Sequence, residues 1–187
     1  MGSAPHGAAP VSLDGSHRFA TTFGPVSVAW TARGLARVRL LDGDAVIDPA
    51  GEGALPSLPA EAVRLLAAYF DRAPVDFSSL VLDETGLSPL DAAIYRELRR
   101  VPRGATVTYG ELAARAGSPG AAQAVGSAMA RNPWVVVVPC HRVLAAGGGL
   151  GGFSAPGGVA TKRRLLTMEG ADLDGGTPLL PGLFPED

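Results

Sequence analysis

The hydrophobic period of this chain changes along its length, and that change limits the folds open to it. Val26, Val28 and Trp30 alternate with Ser27 and Ala29 behind a Gly24-Pro25 turn, and Val38 and Leu40 alternate with Arg37 and Arg39 behind Gly34. A period of two over neighbouring stretches predicts a β-hairpin between Arg18 and Leu41. The Gly- and Pro-bearing stretch from Asp48 to Pro59 breaks the pattern. Leu65, Leu66, Tyr69 and Phe70 then recur at three- and four-residue spacing, which predicts a helix starting near Pro59 and ending before Pro74. Residues 17–87 therefore read as a small α/β lobe with an antiparallel sheet.

From residue 88 the signals are helical. In Ser88-Pro89-Leu90-Asp91 the serine can cap, proline suits the first helical position, and Leu90, Ile94 and Leu98 line one face. Arg96, Arg99, Arg100 and Arg103 gather toward the end of that helix, where cations complement its dipole. Thr108 caps a short helix from Tyr109 to Ala116, Gly117-Ser118-Pro119-Gly120 turns the chain, and a second helix runs from Ala121 to about Arg131. This is a helix-turn-helix outline. The second helix carries almost no bulk: Ala121, Ala122, Ala124, Gly126, Ser127, Ala128 and Ala130. Either nucleic acid approaches its backbone closely, or it packs tightly in the core, where Val125 and Met129 bury one face.

A chain of 187 residues with 47% apolar and 18% charged side chains can bury one domain or two small lobes, which excludes global disorder. The run from Trp134 to Val138 is far short of the about 18 residues that span a bilayer, and residues 1–16 lack the basic start and apolar stretch of a signal peptide. The single cysteine, Cys140, can form no intramolecular disulfide, so the chain reads as intracellular and cytoplasmic. Net charge is −2, but unevenly spread. Residues 1–88 hold 6 Lys or Arg against 10 Asp or Glu, residues 89–170 hold 10 against 4, and residues 171–187 hold none against 4. A basic middle between acidic ends fits a phosphate-binding face and equally an ordinary solvated surface. Residues 1–16 and 171–187 read as a loose tail and an acidic tail.

The apolar run Trp134 to Val138 reads as a buried strand leading into Pro139-Cys140-His141-Arg142-Val143. A lone cysteine there is either an inert buried residue or a nucleophile whose pKa is lowered by the neighbouring imidazole and guanidinium. Gly147 to Gly152 formally satisfies G-x-G-x-x-G, but no helix starts at Gly152 and no strand-helix-strand repeat surrounds it, so a dinucleotide site is rejected. A final helix from Thr161 to Glu169 is expected to carry Lys162, Arg163 and Arg164 outward and Leu165, Leu166 and Met168 mostly inward.

These residues resemble the alkylguanine-DNA alkyltransferases, the methylated-DNA-protein cysteine methyltransferases. The resemblance rests on Pro139-Cys140-His141-Arg142-Val143, on Asn132-Pro133, on Ala124-Val125-Gly126 and on Thr108-Tyr109-Gly110-Glu111-Leu112-Ala113. It continues through Gly152-Phe153-Ser154, Lys162 and Leu165-Leu166 to Glu169-Gly170, and more loosely through Phe23-Gly24-Pro25. It covers about Arg18 to Gly170 and leaves both tails out.

The resemblance implies an N-terminal α/β lobe and a mostly helical lobe, residues 88–170, whose helix-turn-helix enters the minor groove of double-stranded DNA and everts the damaged nucleotide. It implies that Cys140 accepts the alkyl group from O6 of guanine, with O4 of thymine as a further candidate substrate. His141 would be the base acting through a water, Glu169 the group orienting it, and Tyr109 the proton donor that also helps rotate the nucleotide. Asn132 would support the cysteine turn, and Val143, Phe153, Ser154 and Tyr109 would form the base pocket. Ala122, Gln123, Ala124, Gly126, Ser127, Arg131 and Arg142 would contact DNA. A monomer with no cofactor and no metal is expected. The chemistry suits these types: a soft alkyl carbon wants a thiolate, departing guanine wants a proton, and the stable thioether allows one turnover.

Two positions depart from the family pattern. Gln123 stands where most members have an arginine, and Phe153 where tyrosine is more usual. A non-catalytic lesion sensor of the same fold and a helix-turn-helix regulator are the alternatives; such sensors typically lack the cysteine, which is present here.

Overall fold

The computed structural model describes residues 12–48 and 55–173, so the expected tails lie mostly outside the described residues. Strands β1 (Gly15–Phe19), β2 (Val26–Thr31) and β3 (Gly34–Leu40) form an antiparallel sheet in the order β1-β2-β3. The predicted hairpin is β2 with β3. Strand β1 begins inside the stretch expected to be a loose tail; the indole of Trp30 sits where a side chain on Gly15 would have to go, so the glycine lets the strand lie against it. Helix α1 (Ser57–Phe70) starts slightly earlier than expected, packs on β2 and β3, and buries Leu65, Leu66, Tyr69 and Phe70.

The helical part follows its caps. Helix α2 (Pro89–Arg99) opens on Ser88, whose hydroxyl accepts the Asp91 amide at 3.0 Å. Thr108 and Glu111 form a reciprocal capping box that starts α3 (Tyr109–Arg115). The turn at 117–120 leads into α4 (Ala122–Arg131), completing the helix-turn-helix. Helix α5 (Gly158–Glu169) begins earlier than Thr161.

Two segments close the open edge of β3. The Leu35 amide donates to Val81 O at 2.8 Å and Asp83 N donates to Leu35 O at 3.0 Å; further along, Val38 N donates to Pro133 O at 2.8 Å and Val135 N to Val38 O at 3.2 Å. The Trp134 indole N–H adds a bond of 2.6 Å to Leu35 O. Covering an edge removes a template for aggregation. It also fastens the approach to Cys140 onto the N-terminal sheet.

The run Trp134 to Val138 is not the strand its composition suggested. The Val138 amide folds back onto Trp134 O at 2.8 Å, and Val136 has φ of 76°, a costly conformation for a β-branched residue. Asn132 holds both ends of the loop, its amide donating to Val138 O at 2.8 Å and its carbonyl accepting from Trp134 N at 3.0 Å. All five side chains are buried, so no inside-outside alternation existed to distinguish strand from loop. Two strands of two residues each, β4 (Val107–Thr108) and β5 (Val143–Leu144), pair in parallel. Because β4 runs directly into α3 and β5 leaves the cysteine turn, this pairing brings Tyr109 beside Cys140.

Candidate active site

Cys140 opens a short 3-10 turn, Cys140–Arg142, and its thiol forms part of the wall of a cavity of about 360 Å³. Tyr109, Gly126, Met129, Phe153 and Ser154 are among its other walls. That volume lies at the small end of ligand sites and suits a single base. A larger cavity of about 530 Å³ lies behind the turn, against Pro139 and Arg142; the thiol does not reach it, so the chemistry belongs to the smaller one. A glycine passes close to Tyr109: Gly151, at φ of 64°, lies where any side chain would crowd the Tyr109 hydroxyl.

Behind the thiol lies a buried polar chain. His141 Nε2 is 3.0 Å from Glu169 Oε1, and Arg142 grips the same carboxylate through Nε at 2.9 Å and Nη2 at 2.7 Å. Burial alone would raise the Glu169 pKa, but the hydrogen bonds and charges of His141 and Arg142 outweigh it and hold the carboxyl well below its usual range. An ionised Glu169 assigns the Nε2 proton to His141. Nδ1 is then a lone-pair acceptor, and it is the one buried side-chain polar atom without a partner among the described residues. Burial lowers the His141 pKa despite Glu169, leaving a neutral imidazole with a free basic nitrogen.

Of the two readings the sequence left open for the thiol, a pKa lowered by its neighbours is the one the structure does not bear out. Burial pushes the Cys140 pKa up, only partly countered by Asn132 and by the charge of Lys162. Its neighbouring guanidinium does not activate it, because Arg142 turns away to Glu169 and to Val101 O. The resting residue is a protonated thiol that needs a base. Burial likewise raises the pKa of Tyr109, keeping its phenol a proton donor.

Three further expectations are corrected. Arg142 is buried and fully engaged, so it is no DNA contact. Val143 does not line the cavity: it pairs with Val107, and its carbonyl accepts the Lys162 ammonium at 2.6 Å. Lys162 points inward and is fully buried rather than outward with Arg163 and Arg164. One signal marked it in advance, since it is the only lysine in the chain. Sequence reasoning also missed Tyr69 of α1, whose hydroxyl donates to Glu169 Oε1 at 2.5 Å across 100 residues.

A family model described as the DNA-binding domain of 6-O-methylguanine DNA methyltransferase matches residues 89–171. The methylated-DNA-protein-cysteine methyltransferase of Methanothermobacter thermautotrophicus is 36% identical over 150 residues, covering 80% of this chain and 82% of that protein. The chain belongs to the methylated-DNA-protein-cysteine methyltransferase family. A Thermus thermophilus DNA base-flipping protein is 46% identical over 124 residues, covering 66% of this chain and 79% of its own. Among solved structures, Mycobacterium tuberculosis OGT in complex with DNA superposes with a TM-score of 0.68 at 34% identity, covering 82% of this chain and 92% of that one.

On the outer side of this methyltransferase family member, α4 exposes Gln123, Ser127, Ala130 and Arg131, while Ala122, Ala124 and Gly126 are half-buried and Val125, Ala128 and Met129 face the core. Arg131 is exposed but paired with Asp91 at 3.3 Å. The basic excess of residues 89–170 is therefore not a single phosphate-facing patch. Arg99, Arg103, Arg142, Lys162 and Arg164 all donate to backbone carbonyls of the fold.

Proposed function

We propose that this chain reverses alkylation damage directly, moving an alkyl group from O6 of guanine in double-stranded DNA onto Cys140, once per molecule. The observation that carries this reading is the thiol in the wall of a base-sized cavity, followed in the chain by a neutral His141 with a free Nδ1. His141 takes the thiol proton through one bridging water, the sulfur attacks the alkyl carbon, and the carbon–oxygen bond breaks. Tyr109 gives the guanine ring its proton and is reprotonated from His141 through solvent, so the products are a thioether and unmodified guanine. The thioether does not revert.

The cavity is closed to a base stacked in a duplex, so the nucleotide must be everted, at a cost of a few kcal/mol. Residues 88–170 bind DNA and accept the alkyl group, while residues 17–87 support them. The small side chains of α4 allow entry to the minor groove, with Gln123, Ser127 and Arg131 outermost and Ala122, Ala124 and Gly126 giving close approach. Phe153 and Ser154 hold the everted base. The protein acts as a monomer, inside the cell where DNA is.

Incubation with duplex DNA carrying O6-methylguanine, followed by intact mass, tests this. One methyl mass on Cys140 and no second turnover are expected, with Cys140→Ala inactive but still binding DNA. Methylation of the alanine variant, or repeated turnover by the native protein, overturns the mechanism. A lesion-sensing role, favoured by the similarity to the base-flipping protein, would show lesion binding with no gain in mass.

A further inference from the structure

We infer that Tyr69, on the N-terminal lobe, is a positioning residue for alkyl transfer: its phenol holds the Glu169 carboxylate in the orientation that keeps His141 Nδ1 free to act as the base. The inference rests on the reading of His141 as that base. Glu169 Oε1 accepts three donors, Tyr69 Oη at 2.5 Å, Arg142 Nη2 at 2.7 Å and His141 Nε2 at 3.0 Å. Arg142 and His141 come from the cysteine turn itself. Tyr69 alone reaches in from α1.

The tyrosine is itself firmly placed. It is 1% exposed, its ring packs edge-on against Phe70 with centroids 5.1 Å apart, and the Arg103 guanidinium lies 5.5 Å from its ring centre. Arg103 also ties the lobes, donating to Ala73 O at 2.7 Å and to Met168 O at 3.2 Å beside Glu169. Burial and the Glu169 charge both keep the phenol protonated, so it can only donate. A donor on Oε1 draws negative charge away from the side facing His141. It restrains the carboxylate against rotation and limits how strongly Glu169 stabilises a protonated imidazole.

The charged and titratable groups facing His141 are Glu169, Arg142 and Lys162, with Cys140 preceding it, while Arg103 bears on Tyr69. Removing the phenol hydroxyl leaves all of these in place and strengthens the Glu169–His141 attraction. The imidazolium is then favoured, so neutral base is lost at a higher pH.

The test compares the native protein, Tyr69→Phe and a protein with 3-fluorotyrosine at position 69, which keeps the shape and sharpens the donor. Single-turnover methyl transfer is measured against pH, and the His141 titration is followed by NMR without substrate. Tyr69→Phe should slow transfer by up to roughly tenfold on the acid side of the pH profile, with the loss closing as pH rises. Its acid limb and its His141 titration should both move to higher pH, while fluorotyrosine moves both to lower pH. If Tyr69→Phe does not fold, the fluorotyrosine protein decides alone. A folded variant with unchanged acid limb and His141 titration overturns the inference, as does slowing that is uniform across pH. A native protein that transfers no methyl group defeats the proposed function instead, and the NMR titration then still decides the coupling of Tyr69 to His141.

Discussion

The ammonium of Lys162 donates to the carbonyl of Val143 at 2.6 Å, joining α5 to the strand that leaves the cysteine turn. The lysine is fully buried, and burial pushes its pKa down to about 8. Between about pH 8 and pH 10.4 the folded lysine has released its proton while the unfolded one still holds it. Stability from this group therefore rises with pH through that window. Lys162→Met should remove the rise, and the difference in unfolding free energy between native protein and variant, measured by urea at pH 7, 8, 9 and 10, should grow above pH 8.

Glu169 has the opposite dependence. Its pKa is held low in the fold, so its contribution is complete above the unfolded value of about 4.3 and is lost as pH falls toward the folded one. Glu169→Gln should be less stable at neutral pH, because Arg142 is left buried without its countercharge, and should lose less stability on acidification. Denaturation curves from pH 7 to pH 3 would show the two proteins converging.

Asn132 bonds to Val138 O and to Trp134 N, both inside the protein. Asn132→Ala leaves the buried Trp134 amide unpaired and removes one of the two donors to Val138 O, which keeps the Cys140 amide at 2.8 Å; this should cost about 1 to 3 kcal/mol. Transfer should slow as well, since the loop that presents Cys140 is closed by this side chain. A variant as stable as the native protein would show that the loop is held by packing alone.

Gln123 is exposed in the first turn of α4. If it fills the space left by an everted base, Gln123→Ala should slow repair of duplex DNA much more than reaction with the free alkylated base, which needs no eversion. Gln123→Arg should speed duplex repair by adding a charge and further donors. Equal slowing on both substrates would place its role in the fold or the pocket.

Local signals were legible in the sequence because neighbours in the chain determine them. Ser88 and Thr108 cap the helices they were expected to cap, the β2–β3 alternation gives a hairpin, and Cys140 stands beside His141 by covalent order alone. What lay beyond reach depends on contacts between residues distant in sequence. Five buried valine and tryptophan side chains carry no periodicity, so only the bonds from Asn132 and β3 made Trp134 to Val138 a loop. Arg142 and Lys162 look like surface cations until Glu169 and the Val143 carbonyl supply interior partners, because burying a charge is tolerated only where such partners already stand. The thiol that its neighbours seemed to activate is instead raised in pKa by full burial. Tyr69 meets Glu169 only because α1 is brought against the end of α5, and a hydrogen bond spanning 100 residues leaves no trace in local pattern.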